Sequence, residues 1–179
     1  MVFVGINNCK GAIDAMDYEK VYESWKLNPE KFWLEAAKSI DWKVFPETCL
    51  TKRSKNFYSW FEDGLSNTCF NAVDRHVQNG LGKKTAIIYD SPVTGIKKKV
   101  SYDELLASVS LLGGALRDKG IQKGDRVIIY MPMVPEAIIA MLACARIGAI
   151  HSVVFGGFAS SELAVRIDDA TPKAIIAGS

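Results

Sequence analysis

The stretch that decides the fold runs from Gly124 to Gly157 and reads GDRVIIYMPMVPEAIIAMLACARIGAIHSVVFGG. Val127–Tyr130 is a compact apolar run of strand length, and Pro135 begins a nearly all-apolar helix that ends near Gly148. Ile150–Phe155 is a second run of strand length. A strand, a helix and a strand joined by short links predict a parallel β-α-β unit with a right-handed crossover.

The alternation continues to the end of the sequence. A helix is predicted from about Ser160 to Ala170, and Ala174–Ala177 predicts a further strand. The fold class is therefore α/β, a βαβαβ arrangement with a mostly parallel sheet and helices on both faces. A helix that is apolar on nearly all sides needs cover from the sheet and from another layer. Because the last strand is followed only by Gly178 and Ser179, we expect this sheet to be the first part of a larger, truncated domain.

The residues before 81 have a different pattern. Residues 17–80 contain all four tryptophans and show little strand character, which predicts a mainly helical extension, while residues 1–16 are expected to be a tail. Asn28-Pro29-Glu30 predicts a helix start, with the helix reaching about Ser39. A second helix is predicted from about Thr68 to Gln78, ended by Gly80.

A β-hairpin and a capped helix are predicted between the extension and the sheet. Thr85–Tyr89 and Lys98–Val100 flank a turn rich in Ser, Pro, Thr and Gly. Ser101-Tyr102-Asp103-Glu104 is a capping box that begins a helix reaching about Lys119, before Gly120. The Gly113-Gly114 pair inside this helix indicates close backbone packing. Residues 81–179 are thus predicted to form one region.

Composition and charge exclude several function classes. A net charge of +2 with interspersed signs gives no electrostatic argument for nucleic acid or an anionic membrane. The longest apolar stretch, Ala137–Ala145, falls far short of the ~20 residues that span a bilayer. The first arginine is Arg53, so no Arg-rich presequence is expected. Four scattered cysteines without a CxxC pair predict reduced thiols, with Cys144 buried, and a cytoplasmic location.

One turn is placed where ligands bind in open α/β sheets. Phe155-Gly156-Gly157-Phe158 follows a strand and precedes a helix that Ser160 or Ser161 is expected to cap. Paired glycines at the carboxyl end of a strand let a ligand approach the backbone. From position alone, a tight turn without a ligand is the more common arrangement. Neither GxGxxG nor GxxxxGK[ST] occurs, so no phosphate loop is predicted.

The remaining polar candidates favour structural roles. Asp168 and Asp169 point ~100° apart on a helix, so they do not converge on a metal. Arg166 is predicted to pair with Asp169 at the surface. His76 and His151 have no ligand-spaced partner, and no GxSxG motif is present. We therefore predict no catalytic and no metal-binding residue in these 179 residues.

Several motifs in order carry a family resemblance over roughly residues 17–179. Gly124–Gly157 closely resembles short-chain acyl-CoA synthetases of the adenylate-forming superfamily. Asn28–Trp42 and Trp60–His76 resemble the amino-terminal extension of its acetate/propionate branch. Within that branch, Asn67–Asn71 and Tyr89–Gly95 are similar to propionyl-CoA synthetases.

The resemblance implies the amino-terminal part of an AMP-forming propionate–CoA ligase. Such enzymes form an acyl-adenylate from ATP and a short carboxylate with Mg²⁺, and CoA then takes the acyl group. In relatives the phosphate loop and the catalytic lysine lie downstream, so the resemblance implies an inactive fragment with no tightly bound cofactor. The Phe-Gly-Gly turn lines the CoA site in the family, which assigns Phe155, Gly156 and Gly157 to CoA.

Two further functions stay open beside this one. Acetate–CoA ligase is the alternative within the family, since the acyl pocket is expected beyond Ser179. A stand-alone, non-catalytic binding or interaction domain is the alternative from another class. A Rossmann oxidoreductase is disfavoured because no glycine fingerprint follows any strand. The expected partners are small molecules, with no nucleic acid and no membrane; the oligomeric state is not predicted.

Overall fold

The computed structural model describes residues 18–178 and divides them into two compact units. The first unit contains residues 18–40 and 44–65, and the second contains residues 41–43 and 66–178. The tail predicted for residues 1–16 lies outside the described residues.

Two helices begin the first unit. Helix α1 spans Tyr18–Leu27 and helix α2 spans Pro29–Ala37. The side chain of Asn28 accepts a hydrogen bond from the backbone N–H of Lys31 at 3.0 Å, with proline in the first turn of α2. The predicted helix start is therefore confirmed, while α2 ends two residues before the predicted Ser39.

A β-hairpin in the first unit was not predicted. Strand β1, Leu50–Ser54, pairs antiparallel with strand β2, Phe57–Trp60. Nearly all of its residues are exposed, so it lacks the apolar alternation that predicts a half-buried strand. An edge-to-face contact between the Trp33 and Trp60 rings, with centroids 5.4 Å apart, joins the hairpin to α2. The prediction of little strand character was therefore wrong for residues 50–60.

The predicted helix over residues 68–78 is present but is largely π-helical. Two π-helical turns occupy Phe70–Asp74 and Val77–Leu81. Gly80 has φ 78°, so regular helical geometry ends at the predicted glycine. Cys69 and Val73 are fully buried. The wider helical turn is a departure that the residue pattern did not show.

A partly buried polar network joins this helical segment to helix α4, Pro135–Ile147. The Asn67 amide donates to the carbonyl oxygens of Ala145 and Arg146, at 3.1 and 3.2 Å. Arg146 donates to both carboxylate oxygens of Asp74, at 2.9 and 2.8 Å. Burial raises the pKa of the neighbouring Cys69 thiol, and Arg146 opposes that rise. These contacts fix the carboxyl end of α4.

The second hairpin and its following helix match the sequence prediction. Strands β3, Thr85–Asp90, and β4, Lys97–Ser101, pair antiparallel, with Gly95 at φ 70° in the turn. Helix α3 spans Tyr102–Asp118 and begins with the full capping box. Hydrogen bonds from Ser101 lower the pKa of the Glu104 carboxyl.

Helix α3 packs against helix α4 through one of its two glycines. Gly113 is buried, and a methyl group there would lie 3.6 Å from both Arg146 Cδ and Ile147 Cγ2, an ordinary contact distance. A methyl group at Gly114 would meet no atom within 4 Å. The predicted helix packing thus involves Gly113 alone, at a separation that would admit an alanine.

The parallel sheet contains three strands in the order β6-β5-β7. Strand β5 spans Arg126–Met131, β6 spans Ile150–Phe155 and β7 spans Ala174–Ala177. Both pairs are parallel, with Tyr130 opposite Val154 in β6 and opposite Ala177 in β7. The predicted α/β fold with a parallel sheet is confirmed.

Two crossover helices connect these strands. Helix α4 links β5 to β6 and ends at Gly148, which has φ 77°. Helix α5, Ser160–Ala170, links β6 to β7 on the other side of β5. Because the two connections run in opposite directions across the sheet, right-handed crossovers place α4 and α5 on opposite faces.

The core of the second unit lies between the sheet and helices α3 and α4. Val127, Ile128 and Ile129 of β5 are completely buried. Cys144 of α4 is also completely buried, and burial raises the pKa of its thiol to about 11. This confirms the prediction of a buried, reduced cysteine, and Cys49 and Cys69 are likewise buried free thiols.

Charged side chains form hydrogen bonds at the amino ends of strands β5 and β7. Lys173, just before β7, donates to the Asp125 carboxylate at 2.9 Å and to the Gly120 carbonyl oxygen at 2.7 Å. Arg126 donates to the carbonyl oxygen of Ala170, the last residue of α5. The amino ends of β5 and β7 are thus joined by side chains as well as by backbone hydrogen bonds.

No helix in the described range, residues 18–178, has the length and apolarity needed to cross a membrane.

Two exposed glycines, Gly114 inside α3 and Gly120 just after it, provide a test of the backbone conformation at each position. We expect Gly114→Ala to raise the free energy of unfolding by about 0.5–1 kcal/mol, because glycine destabilises a helix interior relative to alanine. Gly120 also has open space around it, but its φ is 83°. Gly120→Ala should therefore lower the free energy of unfolding by about 1 kcal/mol. Urea unfolding measures both, and shifts in the same direction would contradict the assigned geometry.

The Asp125 carboxylate should make stability depend on pH. The backbone N–H of Gln122 and then the ammonium of Lys173 lower its pKa in the folded state. Folding therefore favours the ionised form, and this contribution is present above the unfolded-state pKa of about 4 and is lost as the pH falls through the folded-state value. Thermal unfolding between about pH 6 and pH 3 should show less acid destabilisation for Asp125→Asn than for the unsubstituted chain.

Candidate functional site

The turn after β6 lies where the carboxyl ends of three strands meet. A methyl group at Gly156 would lie 2.9 Å from the carbonyl carbon of Met131 and 2.9 Å from the nitrogen of Pro132, at the end of β5. A methyl group at Gly178, after β7, would lie 3.5 Å from Pro132 Cδ. The order β6-β5-β7 also reverses the direction of connection at β5, and such switch points form ligand crevices outside the carboxyl ends of strands.

The two glycines of the turn have different neighbours. Gly156 is needed because the backbone at the end of β5 passes too close for any side chain. Gly157 lies under the Phe155 ring, with a ring carbon 2.6 Å from the position of a methyl group, so a side chain there would require that ring to move. The turn therefore brings bare backbone and an aromatic ring together.

Two exposed aromatic rings form the wall of the site. Phe155 is 58% exposed and Phe158 is 40% exposed. Their centroids are 5.9 Å apart at an interplanar angle of 85°, an edge-to-face contact. The guanidinium of Arg166 lies 4.7 Å from the Phe158 ring centroid. This pair, Phe155 with Phe158, is called the aromatic wall below.

The cap of α5 differs from the prediction. The cap residue is Ala159, which makes no side-chain hydrogen bond, and not Ser160 or Ser161. The Ala159 carbonyl oxygen accepts hydrogen bonds from the N–H groups of Glu162 and Leu163, so both serines already lie inside the helix. The Phe155–Phe158 turn leads directly into the helix at Ala159, so neither serine occupies the cap position.

The partner of Arg166 was also predicted wrongly. Arg166 donates to the carboxylate of Glu162 at 3.2 Å and to its backbone carbonyl oxygen at 2.9 Å, and not to Asp169. Its contact with Phe158 draws the guanidinium toward the amino end of the helix. Asp168 and Asp169 are exposed on α5.

The other chemically active residues do not join this site. His76 contacts the Tyr102 ring at an interplanar angle of 42°, with centroids 4.9 Å apart, and His151 is half-buried in β6. Among residues 18–178, no group of three or more His, Cys, Asp or Glu side chains could hold a metal ion. No metal ligand is therefore assigned in this part of the chain.

A concave region lies beside the end of α4. It is a cavity of ≈ 420 Å³, lined by Asp41, Trp42, Lys43, Asn67, Phe70 and Arg146. Two of these side chains already serve the fold, because Asn67 caps α4 and Arg146 pairs with Asp74. The aromatic wall, by contrast, presents surface that the fold leaves uncovered.

Sequence reasoning missed Tyr130. Its hydroxyl donates to the carbonyl oxygen of Phe158 at 2.8 Å, joining β5 to the turn. Parallel register could have indicated this contact, because Tyr130 and Val154 are opposite and the carboxyl ends of parallel strands share one edge. The direction of a side chain toward a neighbouring turn is set only by the folded sheet.

Comparison with known proteins identifies the class. Residues 73–179 match the family model described as AMP-binding enzyme. The chain belongs to this AMP-binding enzyme family. Residues 18–72 match the model described as acetyl-coenzyme A synthetase N-terminus. The resemblances drawn from Gly124–Gly157 and from the amino-terminal extension are thereby confirmed.

Individual relatives cover nearly the whole chain. Mouse "acyl-CoA synthetase short-chain family member 3, mitochondrial" is 53% identical over 91% of this chain and 24% of its own length. "Acetyl-coenzyme A synthetase" of Sinorhizobium fredii is 48% identical over 92% of this chain and 25% of its own length. The same-named protein of Streptomyces avermitilis is 46% identical over 88% of this chain and 24% of its own length. The chain thus spans about a quarter of the length of these relatives.

Substitution of the two glycines should separate their roles. Gly156→Ala should destabilise the fold by about 1–3 kcal/mol, because its methyl group meets backbone that cannot move aside. Gly157→Ala meets only the exposed Phe155 ring, which can rotate, so its cost should stay below about 1 kcal/mol. Urea unfolding compares the two variants. Equal destabilisation would contradict the placement of the Phe155 ring over Gly157.

Proposed function

We propose that this chain is the amino-terminal part of an ATP-dependent, AMP-forming short-chain carboxylate–CoA ligase. We also propose that Phe155, Gly156 and Gly157 line one side of its CoA site. The observation that carries the site is the exposed Phe155 ring above a glycine turn at the carboxyl end of β6. The family of the chain and the names of its relatives support the reaction class.

The proposed reaction has two steps. A carboxylate oxygen attacks the α-phosphorus of ATP, forming an acyl-adenylate and releasing pyrophosphate. The sulfur of CoA then attacks the acyl carbon, the carbon–oxygen bond to AMP breaks, and the thiol proton is lost to solvent. The first step needs no CoA. The contribution of the aromatic wall should therefore be confined to the second step.

The residues of the wall fit the adenine ring of CoA. A flat base can stack on the exposed face of Phe155, and stacking of a base on an aromatic side chain contributes about 1–3 kcal/mol. Gly156 and Gly157 add no side chain that would hold the nucleotide away from the backbone. Arg166 already forms an ion pair with Glu162. The described residues therefore fit the adenine base of CoA better than the phosphates of CoA. Residues 1–179 alone should therefore bind CoA only weakly.

ATP and Mg²⁺ belong to the proposal without assigned residues. Within residues 18–178 no cluster of carboxylates, histidines or cysteines fits a metal ion. When bound, Mg²⁺ would offset the charge of the ATP phosphates.

Propionate is the proposed carboxylate, with acetate as the alternative. The propionate proposal depends on the resemblance of Asn67–Asn71 and Tyr89–Gly95 to propionyl-CoA synthetases. Both segments serve the fold: Asn67 caps α4, and the second segment forms the β3–β4 turn. The names of the relatives include both short-chain acyl-CoA and acetyl-CoA synthetases.

The cytoplasmic location stays a prediction. It depends on the reduced state predicted for the scattered cysteines. The name of the mouse relative places that protein in mitochondria.

Substrate preference can be measured by pyrophosphate release from the full-length protein. Acetate, propionate and butyrate should be compared at equal concentration, and propionate is expected to give the highest rate. A preference for acetate would contradict the propionate proposal and support acetate as the substrate. No release with any of the three would contradict the ligase proposal and favour a non-catalytic binding domain.

The role of the aromatic wall in CoA binding can be tested with the same full-length protein. Phe155→Ala should raise the KM for CoA by about 5- to 150-fold, the equivalent of a lost base stack. Carboxylate-dependent exchange of pyrophosphate into ATP, measured without CoA, should be unchanged. Phe57→Ala removes a ring of similar exposure from β2 and is the matched control. An unchanged KM for CoA in Phe155→Ala would remove Phe155 from the site.

A further inference from the structure

The Tyr130 hydroxyl is the side-chain contact that reaches the turn from the central strand. Tyr130 lies next to the last residue of β5, 28 residues before Phe158 in the sequence. Its hydroxyl donates to the Phe158 carbonyl oxygen at 2.8 Å, a normal hydrogen-bond length. The contact therefore joins a buried strand to an exposed turn.

The turn has few other restraints of its own. One backbone hydrogen bond, from the Phe158 N–H to the Phe155 carbonyl oxygen, closes it at 3.1 Å. Gly156 and Gly157 have no side chains to pack, and glycine has more backbone freedom than any other residue. Ala159 supplies no side-chain cap to α5. An anchor from outside the turn thus has a large share in fixing its conformation.

The anchored residue positions the aromatic wall. With the Phe158 backbone held, its ring meets the Phe155 ring edge-to-face at 5.9 Å and the Arg166 guanidinium at 4.7 Å. Both rings are substantially exposed, so burial alone does not hold them. Pairing with Met131 of β5 holds the Phe155 backbone, so the orientation of the Phe155 ring is what depends on Phe158, and through it on Tyr130.

We propose that Tyr130 is a positioning residue for the CoA-facing aromatic wall, acting through its hydrogen bond to the Phe158 backbone. This inference rests on the proposed function, because it assigns the wall to CoA. Tyr130 acts through Phe158 and is not itself assigned a contact with CoA. Its ring is half-buried beside Val154, so phenylalanine would keep the packing and remove only the hydroxyl.

The test uses Tyr130→Phe in the full-length protein. Loss of one hydrogen bond that orders the wall should raise the KM for CoA by about three- to tenfold. The rate of carboxylate-dependent pyrophosphate exchange, measured without CoA, should not change. Tyr89→Phe, at a half-buried tyrosine on β3, is the matched control and should change neither quantity.

Hydrogen exchange provides a readout that does not depend on activity. In Tyr130→Phe, amides of the turn over residues 156–159 should exchange faster, while amides of β5 should keep their protection. A residue that merely stabilises the fold would instead change protection in the strand and the turn together. Equal changes in both would overturn the positioning role.

The kinetic outcomes separate the two proposals. No carboxylate-dependent exchange in the unsubstituted protein overturns the ligase function, and with it the role of the wall in CoA binding. An active protein whose KM for CoA is unchanged by Tyr130→Phe overturns only the role of Tyr130. A parallel loss of exchange rate and of CoA affinity also overturns it, because that result indicates a general structural role.

Discussion

The central position of β5 is the constraint on which the second unit depends. Its residues Val127–Ile129 are completely buried, and it is paired on both sides, by β6 and by β7. Backbone N–H and C=O groups buried at this depth must be hydrogen-bonded, and parallel pairing on both edges provides those bonds. The two flanking strands then have fixed register, and their carboxyl ends lie beside the Met131–Pro132 peptide. The glycine turn, the aromatic wall and the Tyr130 hydrogen bond all follow from this one placement.

Helix α4 connects the buried strand β5 to the rest of the second unit. It packs on the sheet and on α3, and its carboxyl end is held by Asn67 and by the Arg146–Asp74 ion pair. Breaking a partly buried pair of this kind leaves a charge without its partner, which is costly. The helical segment with its π-helical turns is thereby tied to the sheet. The carboxyl edge of the sheet is left free to present the exposed rings of Phe155 and Phe158.

The sequence predicted well those elements whose signals are local. The capping box at Ser101 and Glu104, the Asn28 cap and the left-handed glycines at 80, 120 and 148 all appear as expected. The β1–β2 hairpin was missed because its strands are mostly exposed and carry no apolar alternation. The predicted Ser160 or Ser161 cap was wrong because the turn leads into α5 at Ala159. The predicted Arg166–Asp169 pair was wrong because Arg166 contacts the Phe158 ring and Glu162 instead. In the candidate site, Phe155, Gly156 and Gly157 were predicted from position and resemblance, whereas Tyr130 was not.

The sequence by itself determined the α/β class, the order of elements in the second unit and the family, because periodicity, caps and ordered motifs are encoded in neighbouring residues. Tertiary structure decided the strand order β6-β5-β7 and the separate reasons for Gly156 and Gly157. It also decided the anchoring of the turn by Tyr130. These features join residues that are far apart in sequence, such as Tyr130 and Phe158. Contacts of that kind depend on the register and twist of a folded sheet, which no short stretch of residues specifies.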